Sequence, residues 1–458
     1  MDLALDPLDP DVIAWADAVA CSVPMHTAMR LALTVCDEIR GLRPELPLCL
    51  YGLYAGLDAG YDETSTGHLV DSTIAGEYEP GLVAWIDGLA GDVGVAGGRR
   101  TPRAHAVVAL GRGRFGLPAR HLLPPLDRYA KLAVSGQLRL AGYVEASHGC
   151  AHRCRHCPVP VVYDGRTRLV GEDAVVADVA QLVELGAHHI TFGDPDFLNG
   201  PHHAVRVVGA VHGAFPDLTF DITTKVEHIL RHRDLWPALS GVGLLFAVSA
   251  FESASDHVLA RLDKGHTVAD EIEAVAVLRH SGIEPRPSLM PFTPWTTAAD
   301  VRALLDLVSY CDLVGNVDPV HFAIRLLVPP GSLLLSSGAL DGLLGPYDTD
   351  GLSWTWRSPD PRLDLVQSAI AAIAVEAAAD EWPAVRAYEA VRAAVDTALS
   401  ADGDRTAGPS PVTDSRLRSA LAPDDRPRLT EAWFCCAEPT DAQFRALHVD
   451  TASPAGGS

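Results

Sequence analysis

The chain has 458 residues, of which 36 are Lys or Arg and 59 are Asp or Glu, so its formal net charge is −23. That charge argues against a protein that holds nucleic acid or anionic lipid by neutralising phosphates. The hydrophobic content of 48% indicates a globular chain, and its length predicts roughly two to three domains.

The N-terminus, from Met1 to Asp6, lacks the basic segment and apolar core of a secretory signal. No uninterrupted apolar run approaches the roughly 18 residues that a membrane span needs. We therefore expect a soluble, cytoplasmic protein with no membrane partner, whose nine cysteines stay reduced.

Alternating elements predict a first domain over residues 1–120. Residues 18–23 and 47–54 read as strands, 27–39 as an amphipathic helix, and 76–81 as a turn that opens another helix. This alternation predicts a small doubly wound α/β domain. It would be followed by a linker at Pro124 and Pro125.

Three cysteines lie in one short segment between Gly149 and Pro158, namely Cys150, Cys154 and Cys157. Their spacing could place them on one face of a core helix, but the glycine, the proline and the intervening His and Arg residues favour a loop around a metal. Zinc is one candidate, although zinc sites more often add a second two-ligand cluster. Three thiolates without a fourth favour an iron–sulfur cluster with one open iron. The isolated cysteines are expected in the core: Cys21, Cys36, Cys49 and Cys311.

Residues 121–345 alternate between β-like and helical segments. The predicted helices include 175–183, 270–279 and 298–307. Such alternation predicts βα units around a parallel sheet, with functional side chains after the strand ends. The predicted strands are 141–145, 189–192, 218–222, 243–248, 287–292 and 320–327.

The cysteine loop resembles the signature of the radical S-adenosylmethionine (SAM) superfamily. In that family the loop follows the first strand of a partial (β/α)6 barrel and binds a 4Fe-4S cluster whose open iron holds SAM. The resemblance implies an enzyme that cleaves SAM reductively, with a small-molecule substrate and a reductant such as flavodoxin or ferredoxin. Because some members modify RNA, the charge of −23 weighs against that branch.

The resemblance also implies residues that bind SAM after the strands. Residues 193–196 resemble the segment that contacts the methionyl amino group, and His156 takes the place of an aromatic residue near the adenine. For any one of these, an exposed loop charge or a cap is the alternative. The cofactor-binding residues implied in this way are His156, Gly193, Asp194, Asp196, Thr223, Lys225, Ser249, Glu252 and Arg325.

Residues 249–253 and 264–267 resemble the E-S and K-G-H-T elements of a branch that carries an N-terminal cobalamin-binding domain. Such a domain often binds cobalt through the histidine of a D-x-H-x-x-G motif. This chain has no such motif, and His26 is a lone histidine at the first turn of a predicted helix. The sequence therefore leaves cobalamin binding open, with a retained scaffold domain as the alternative.

Residues 346–458 are predicted to form a helical extension, with helices over 363–378 and 382–399, a flexible linker over 400–411 and a tail. The tail sequence Cys435-Cys436-Ala437-Glu438-Pro439 resembles that of the CUAEP/CCAEP-tail radical SAM subgroup. A mobile dithiol of this kind suits a soft ligand such as trivalent arsenic, or a redox relay.

Three functional hypotheses follow. The first is a radical SAM enzyme that moves a radical or a SAM-derived carbon fragment to a substrate on Cys435 and Cys436, as in organoarsenical biosynthesis. The second is a cobalamin-assisted methyltransferase or rearrangement enzyme of natural-product biosynthesis. The third is a non-catalytic metal or redox sensor, which would need none of the residues at the strand ends.

Overall fold

The computed structural model describes residues 1–57, 69–92, 104–109, 115–399, 412–432 and 438, with the backbone alone at 90–92 and 104–109. Within these ranges no helix combines the length and the apolar character that a bilayer crossing demands. The elements before the barrel are α1 (Pro10–Trp15), β1 (Val19–Ser22), α2 (His26–Leu42), β2 (Leu48–Tyr51), β3 (Ser72–Gly76), α3 (Glu79–Asp92) and β4 (Ala104–Ala109).

The N-terminal sheet is parallel and its order is β1-β2-β3-β4. The α/β character predicted for this domain is confirmed. However, the described strands follow one another in chain order, so they lack the reversal of strand order that defines a doubly wound sheet. This matters because ligands of doubly wound sheets bind at the point where the order reverses.

The second sheet forms the partial barrel. Its strand order is β12-β11-β10-β9-β6-β5-β15, where β15 is the short strand Arg428–Leu429. Strands β6, β9, β10, β11 and β12 run parallel. Strand β5 is antiparallel to β6, and β15 is antiparallel to β5. The elements from β5 onward are β5 (Lys131–Val134), β6 (Gln137–Val144), β7 (Ser147–Gly149), α4 (Val159–Tyr163), β8 (Thr167–Leu169), α5 (Glu172–Glu184), β9 (His189–Phe192), α6 (Pro201–Ala214), β10 (Thr219–Thr223), α7 (Val226–Arg231), α8 (Trp236–Gly241), β11 (Leu244–Glu252), α9 (Asp256–Leu262), α10 (Val268–His280), β12 (Glu284–Leu289) and α11 (Ala298–Tyr310).

The sixth predicted strand, 320–327, is wrong in its extent. The structure has a 3-10 helix at Pro319–Ala323, and Arg325 then forms an isolated parallel bridge with Phe292. Prolines at 319, 329 and 330 bracket the run, and a proline lacks the N–H that a ladder requires. The fifth strand also begins three residues earlier than predicted, at Glu284.

Local sequence signals explain the helices that cover the sheet. Both α10 and α11 begin with a capping box, formed by Thr267 with Asp270 and by Thr297 with Asp300. Between sheet and helices lies one hydrophobic cluster, whose largest fully buried members include Trp236.

The C-terminal extension packs on the barrel. Its two long helices are confirmed, and a hairpin and a short strand that the sequence did not predict accompany them; the predicted linker at 400–411 lies outside the described residues. The elements are α12 (Leu333–Ser336), β13 (Leu344–Asp348), β14 (Ser353–Trp356), α13 (Pro361–Ala379), α14 (Ala384–Leu399) and β15 (Arg428–Leu429).

The backbone before the first cysteine turns sharply at Gly149. This residue has a φ of +76°, and a Cβ there would lie 2.3 Å from the carbonyl oxygen of Arg166. Only glycine fits such a position without moving the main chain. Gly149 therefore fixes the direction in which Cys150 leaves strand β7.

We expect Gly149→Ala to lower the stability of the protein by about 2 kcal/mol or more, because a left-handed alanine costs roughly 1–2 kcal/mol before any clash with the backbone of Arg166. The measurement is the midpoint of urea-induced unfolding. Gly209→Ala is the matched control, since Gly209 is exposed in α6 with nothing within 4 Å of its Cβ position. Equal midpoints for Gly149→Ala and wild type would contradict this account.

Candidate functional site

The three cysteines lie in an irregular loop between β7 and α4, so a loop rather than a core helix is confirmed. Cys150 and Cys154 are each only 8% exposed, and Cys157 is half-buried. Burial raises the pKa of Cys150 to about 12, and it also raises the pKa of Cys154. The nearby Cys157 thiol raises both pKa values further.

Hydrogen bonds from three directions hold this loop. The Asn199 side-chain oxygen accepts from Ala151 N–H at 3.2 Å, and Arg155 N–H donates to the Leu262 carbonyl at 2.9 Å. The Ser332 hydroxyl donates to the Arg155 carbonyl at 3.3 Å. The chemistry of this donor set, three clustered thiols on a fixed loop, fits a 4Fe-4S cluster with one open iron.

Two cations lie close to these thiols. Lys264 and Lys225 both counteract the rise in the pKa of Cys154. Lys264 is buried, and its Nζ donates to Glu252 Oε1 at 3.0 Å, an oxygen that also lies 3.2 Å from His156 Nε2. Lys264 was not among the predicted site residues, although the K-G-H-T element that contains it was.

Glu252 occupies an unusual backbone conformation at the end of β11. Its φ is +68°, and the pairing of β11 with β12 shifts register at this residue. Burial alone would raise the pKa of Glu252, but Lys264 and His156 outweigh it and lower the pKa well below its usual range. His156 in turn is buried, so its pKa is lowered and the neutral imidazole is favoured.

The predicted pair after β9 is engaged within the protein. Asp194 accepts from Ala146 N–H at 2.8 Å and from the Ser147 hydroxyl at 2.5 Å, and burial raises its pKa to about 7. Gly193 lies against the end of the Tyr143 side chain, and a Cβ at Gly193 would lie 2.0 Å from Cζ of Tyr143, so a larger residue would displace that ring. These contacts join the end of β9 to the start of the cysteine loop.

Asp196 is fully buried and divides its two oxygens between different neighbours. Oδ1 accepts from Leu198 N–H at 3.2 Å and from the Thr224 hydroxyl at 2.9 Å. Oδ2 lies 3.3 Å from His152 Nε2 and 2.8 Å from His228 Nδ1. Burial would raise the pKa of Asp196, but the two histidines hold it below its usual range.

The other predicted residues differ in whether their polar groups have partners in the described part of the protein. Ser249 is buried, and its hydroxyl has no hydrogen-bond partner in the described part of the chain. Thr223 ends β10, and Lys225 lies with its Nζ 3.8 Å from Glu227 Oε2. Ser249 lies in strand β11 of the barrel sheet, and a buried hydroxyl without a partner fits contact with a bound polar ligand such as SAM.

Arg325 has its donors engaged. Its Nη1 donates to Asp364 at 2.7 Å, its Nη2 to the Trp356 carbonyl at 3.2 Å and its Nε to Glu438 at 3.1 Å. The guanidinium also lies 4.1 Å from the centre of the Trp356 ring. Cys435 and Cys436 lie outside the described residues, whereas Glu438, three residues after Cys435, is described.

The N-terminal domain packs directly against the cysteine loop. Cys150 and Tyr163 belong to the same hydrophobic cluster as the cores of α2 and β2. His148 bridges the two domains, 3.2 Å from Glu77 and 3.2 Å from Glu145. Burial would lower the pKa of His148, but these carboxylates raise it to about 10. This contact was not predictable from the sequence, because Glu77 and His148 lie 71 residues apart.

The described residues of this interface do not fit a histidine-ligated cobalamin. His26 is buried with Nε2 3.3 Å from the Leu352 carbonyl, and burial lowers its pKa to about 4. Its ring also packs edge-on against Tyr54. His148 is held between two carboxylates.

Comparison with known proteins places these observations in a family. The profile of the radical SAM superfamily matches residues 144–308. The uncharacterized methyltransferase PH0819 of Pyrococcus horikoshii is 22% identical over 358 residues, 76% of this chain and 72% of its own. The tRNA-2-methylthio-N(6)-dimethylallyladenosine synthase of Chlorobium luteolum is 24% identical over 205 residues, 40% of this chain and 43% of its own.

A solved structure shares the fold. The cobalamin-dependent SAM radical enzyme OxsB with aqua-cobalamin bound superposes with a TM-score of 0.60 at 14% identity. The match covers 80% of this chain and 59% of the OxsB chain. The matched profile and the three-cysteine loop after the first barrel strand together show that this chain contains a radical SAM domain over residues 144–308.

Proposed function

We propose that the enzyme moves a radical or a SAM-derived carbon fragment to a small substrate held by the dithiol of Cys435 and Cys436. Trivalent arsenic is the substrate whose chemistry best matches adjacent thiols, so the proposed pathway is organoarsenical biosynthesis. The 4Fe-4S cluster on Cys150, Cys154 and Cys157 supplies the electron that cleaves a carbon–sulfur bond of SAM. We also propose that the chain belongs to the CUAEP/CCAEP-tail radical SAM subgroup, whose tail sequence it resembles.

The observation that carries the proposal is the contact of the tail with the barrel. Glu438 N–H donates to the Arg325 carbonyl at 3.0 Å, and the two side chains form an ion pair at 3.1 Å. Glu438 follows Cys436 by two residues, and consecutive Cα atoms are about 3.8 Å apart. The contact of Glu438 with Arg325 therefore supports our proposal that the tail acts at the carboxyl edge of the sheet, where the cysteine loop begins.

We propose two kinds of role for the predicted cofactor residues. Thr223, Lys225 and Ser249 contact SAM directly, and the orphaned hydroxyl of Ser249 supports this. The side chains that already have partners within the protein position the segments on which they lie. Gly193 lets its own segment lie close to Tyr143. The residues with positioning roles are His156, Asp194, Asp196, Glu252 and Arg325.

The proposed domain roles and partners follow from this division. Residues 121–345 perform the chemistry, 1–120 form a scaffold against the cysteine loop, and 346–458 deliver the tail. The electron would come from a reductant such as flavodoxin or ferredoxin. We propose no nucleic-acid substrate, because the tRNA-modifying relative matches only 40% of this chain and the net charge is −23.

Anaerobic reconstitution should give about three to four irons per chain, and Cys154→Ala should lose most of that iron together with SAM cleavage. Iron analysis and chromatography of deoxyadenosine and methylthioadenosine are the measurements. Cys21→Ala is the control, because Cys21 lies half-buried in β1 and should leave both readouts unchanged. SAM cleavage by Cys154→Ala would sink the cluster assignment, and a wild type that cleaves no SAM would favour the sensor hypothesis.

For the tail, we expect reconstituted Cys435→Ser/Cys436→Ser to bind arsenite at least about tenfold more weakly than wild type, a loss of roughly 1.4 kcal/mol. Equilibrium dialysis with arsenite is the measurement. Cys21→Ala/Cys36→Ala is the control, since these two thiols also interact and could bind arsenite themselves. Equal affinity in the tail variant and wild type would remove the metalloid proposal and leave the redox relay.

The alternative is a cobalamin-assisted methyltransferase or rearrangement enzyme. The fold shared with cobalamin-dependent OxsB and the similarity to the methyltransferase PH0819 favour it. It predicts that the purified protein retains a corrinoid with its visible absorption spectrum. Protein that takes up no corrinoid when supplied with it, yet cleaves SAM, would contradict this alternative.

A further inference from the structure

A second group of metal-ligating side chains lies beside the cysteine loop. His152 belongs to that loop, Asp196 follows β9, and His228 lies in α7. One ligand atom from each lies within 4.8 Å of the others. The three residues are separated by 44 and 32 positions in the sequence, so only the fold brings them together.

These side chains are not arranged as a hydrogen-bonded ion pair. Asp196 Oδ2 lies 3.3 Å from His152 Nε2 and 2.8 Å from His228 Nδ1, yet none of the three atoms makes a properly angled hydrogen bond within the described chain. Asp196 is 0% exposed, and its other oxygen already has two donors. A buried carboxylate oxygen without a partner is costly, whereas lone pairs that converge on one point suit a cation.

The donor set and its spacing fit a divalent first-row ion such as zinc. Two imidazole nitrogens and one carboxylate oxygen are typical zinc ligands, and bonds of about 2.0–2.1 Å place tetrahedral ligand atoms roughly 3.3 Å apart. Glu227 Oε2 lies 3.8 Å from Nδ1 of His152, the ring nitrogen opposite the site. This separation is longer than a hydrogen bond, so Glu227 adds negative charge beside the site without fixing the ring of His152.

We propose that His152, Asp196 and His228 form a mononuclear site for a zinc-like divalent cation, separate from the site formed by the three cysteines. The ion ties the cysteine loop to the segment after β9 and to α7. With three protein ligands it retains an open position, as catalytic zinc sites do. This site goes beyond the proposed function and does not depend on it.

The test uses the full chain, anaerobically reconstituted with iron and sulfide, equilibrated with Zn²⁺ and then desalted. Zinc and iron are counted in the same sample by mass spectrometry. We expect about one zinc per wild-type chain, with an affinity at least tenfold weaker in His228→Ala and Asp196→Asn. His232→Ala is the matched control, because His232 is one helical turn beyond His228 and outside the site. A far-ultraviolet circular dichroism spectrum that matches wild type in every variant shows that the fold is intact.

X-ray absorption at the zinc edge of wild type tests the proposal without any variant. The expected signal contains only nitrogen and oxygen at about 2.0–2.1 Å. Sulfur at about 2.3 Å would place the zinc on cysteine and overturn the assignment. Wild type that retains no zinc, or His228→Ala that retains as much as wild type, would overturn it as well.

Discussion

The structure depends on three thiols at the carboxyl edge of a parallel sheet, of which two are buried and the third is half-buried. Burial disfavours thiolates, yet a metal cluster requires them. Two cations, Lys225 and Lys264, lie near Cys154 and counteract the rise in its pKa. Hydrogen bonds to the loop backbone from Asn199, Leu262 and Ser332 fix the course of the loop that carries the thiols.

A buried ionic group of Lys264, Glu252 and His156 connects the cysteine loop to the end of strand β11. Lys264 alone would be too costly to bury, and so would Glu252, but together with His156 they satisfy one another. Removing one member would leave an uncompensated charge in the core. The positive φ of Glu252 is tolerated because both partners contact the same oxygen of its side chain and hold it in place.

The sequence predicted elements better than it predicted contacts. Strand β9 lies at the predicted residues because a short apolar run is bounded by clear turn signals. The sixth strand failed because flanking prolines limit the ladder, and β15 was missed because two residues carry no periodicity. The order of the N-terminal strands depends on long-range packing that no local pattern records.

For the candidate site, the position after each strand was predictable but the direction of each side chain was not. Asp194 follows β9 and Arg325 forms an isolated bridge with Phe292, yet both side chains turn toward partners from distant segments. Lys264 required knowledge of its partner Glu252, which lies in another element. Burial of a charge is decided by the whole fold, and residue type alone does not reveal it.

The contact between Glu438 and Arg325 also bears on the open side of the barrel. Strand β15 ends at Leu429 on one edge of the sheet, whereas Arg325 bridges Phe292 beyond β12 at the opposite edge. Arg286 Nη1 of β12 donates to the Pro427 carbonyl at 3.4 Å, directly before β15. The segment that ends in β15 thus contacts both edges of the sheet, and the ion pair of Glu438 with Arg325 adds a second link between the C-terminal segment and the β12 edge.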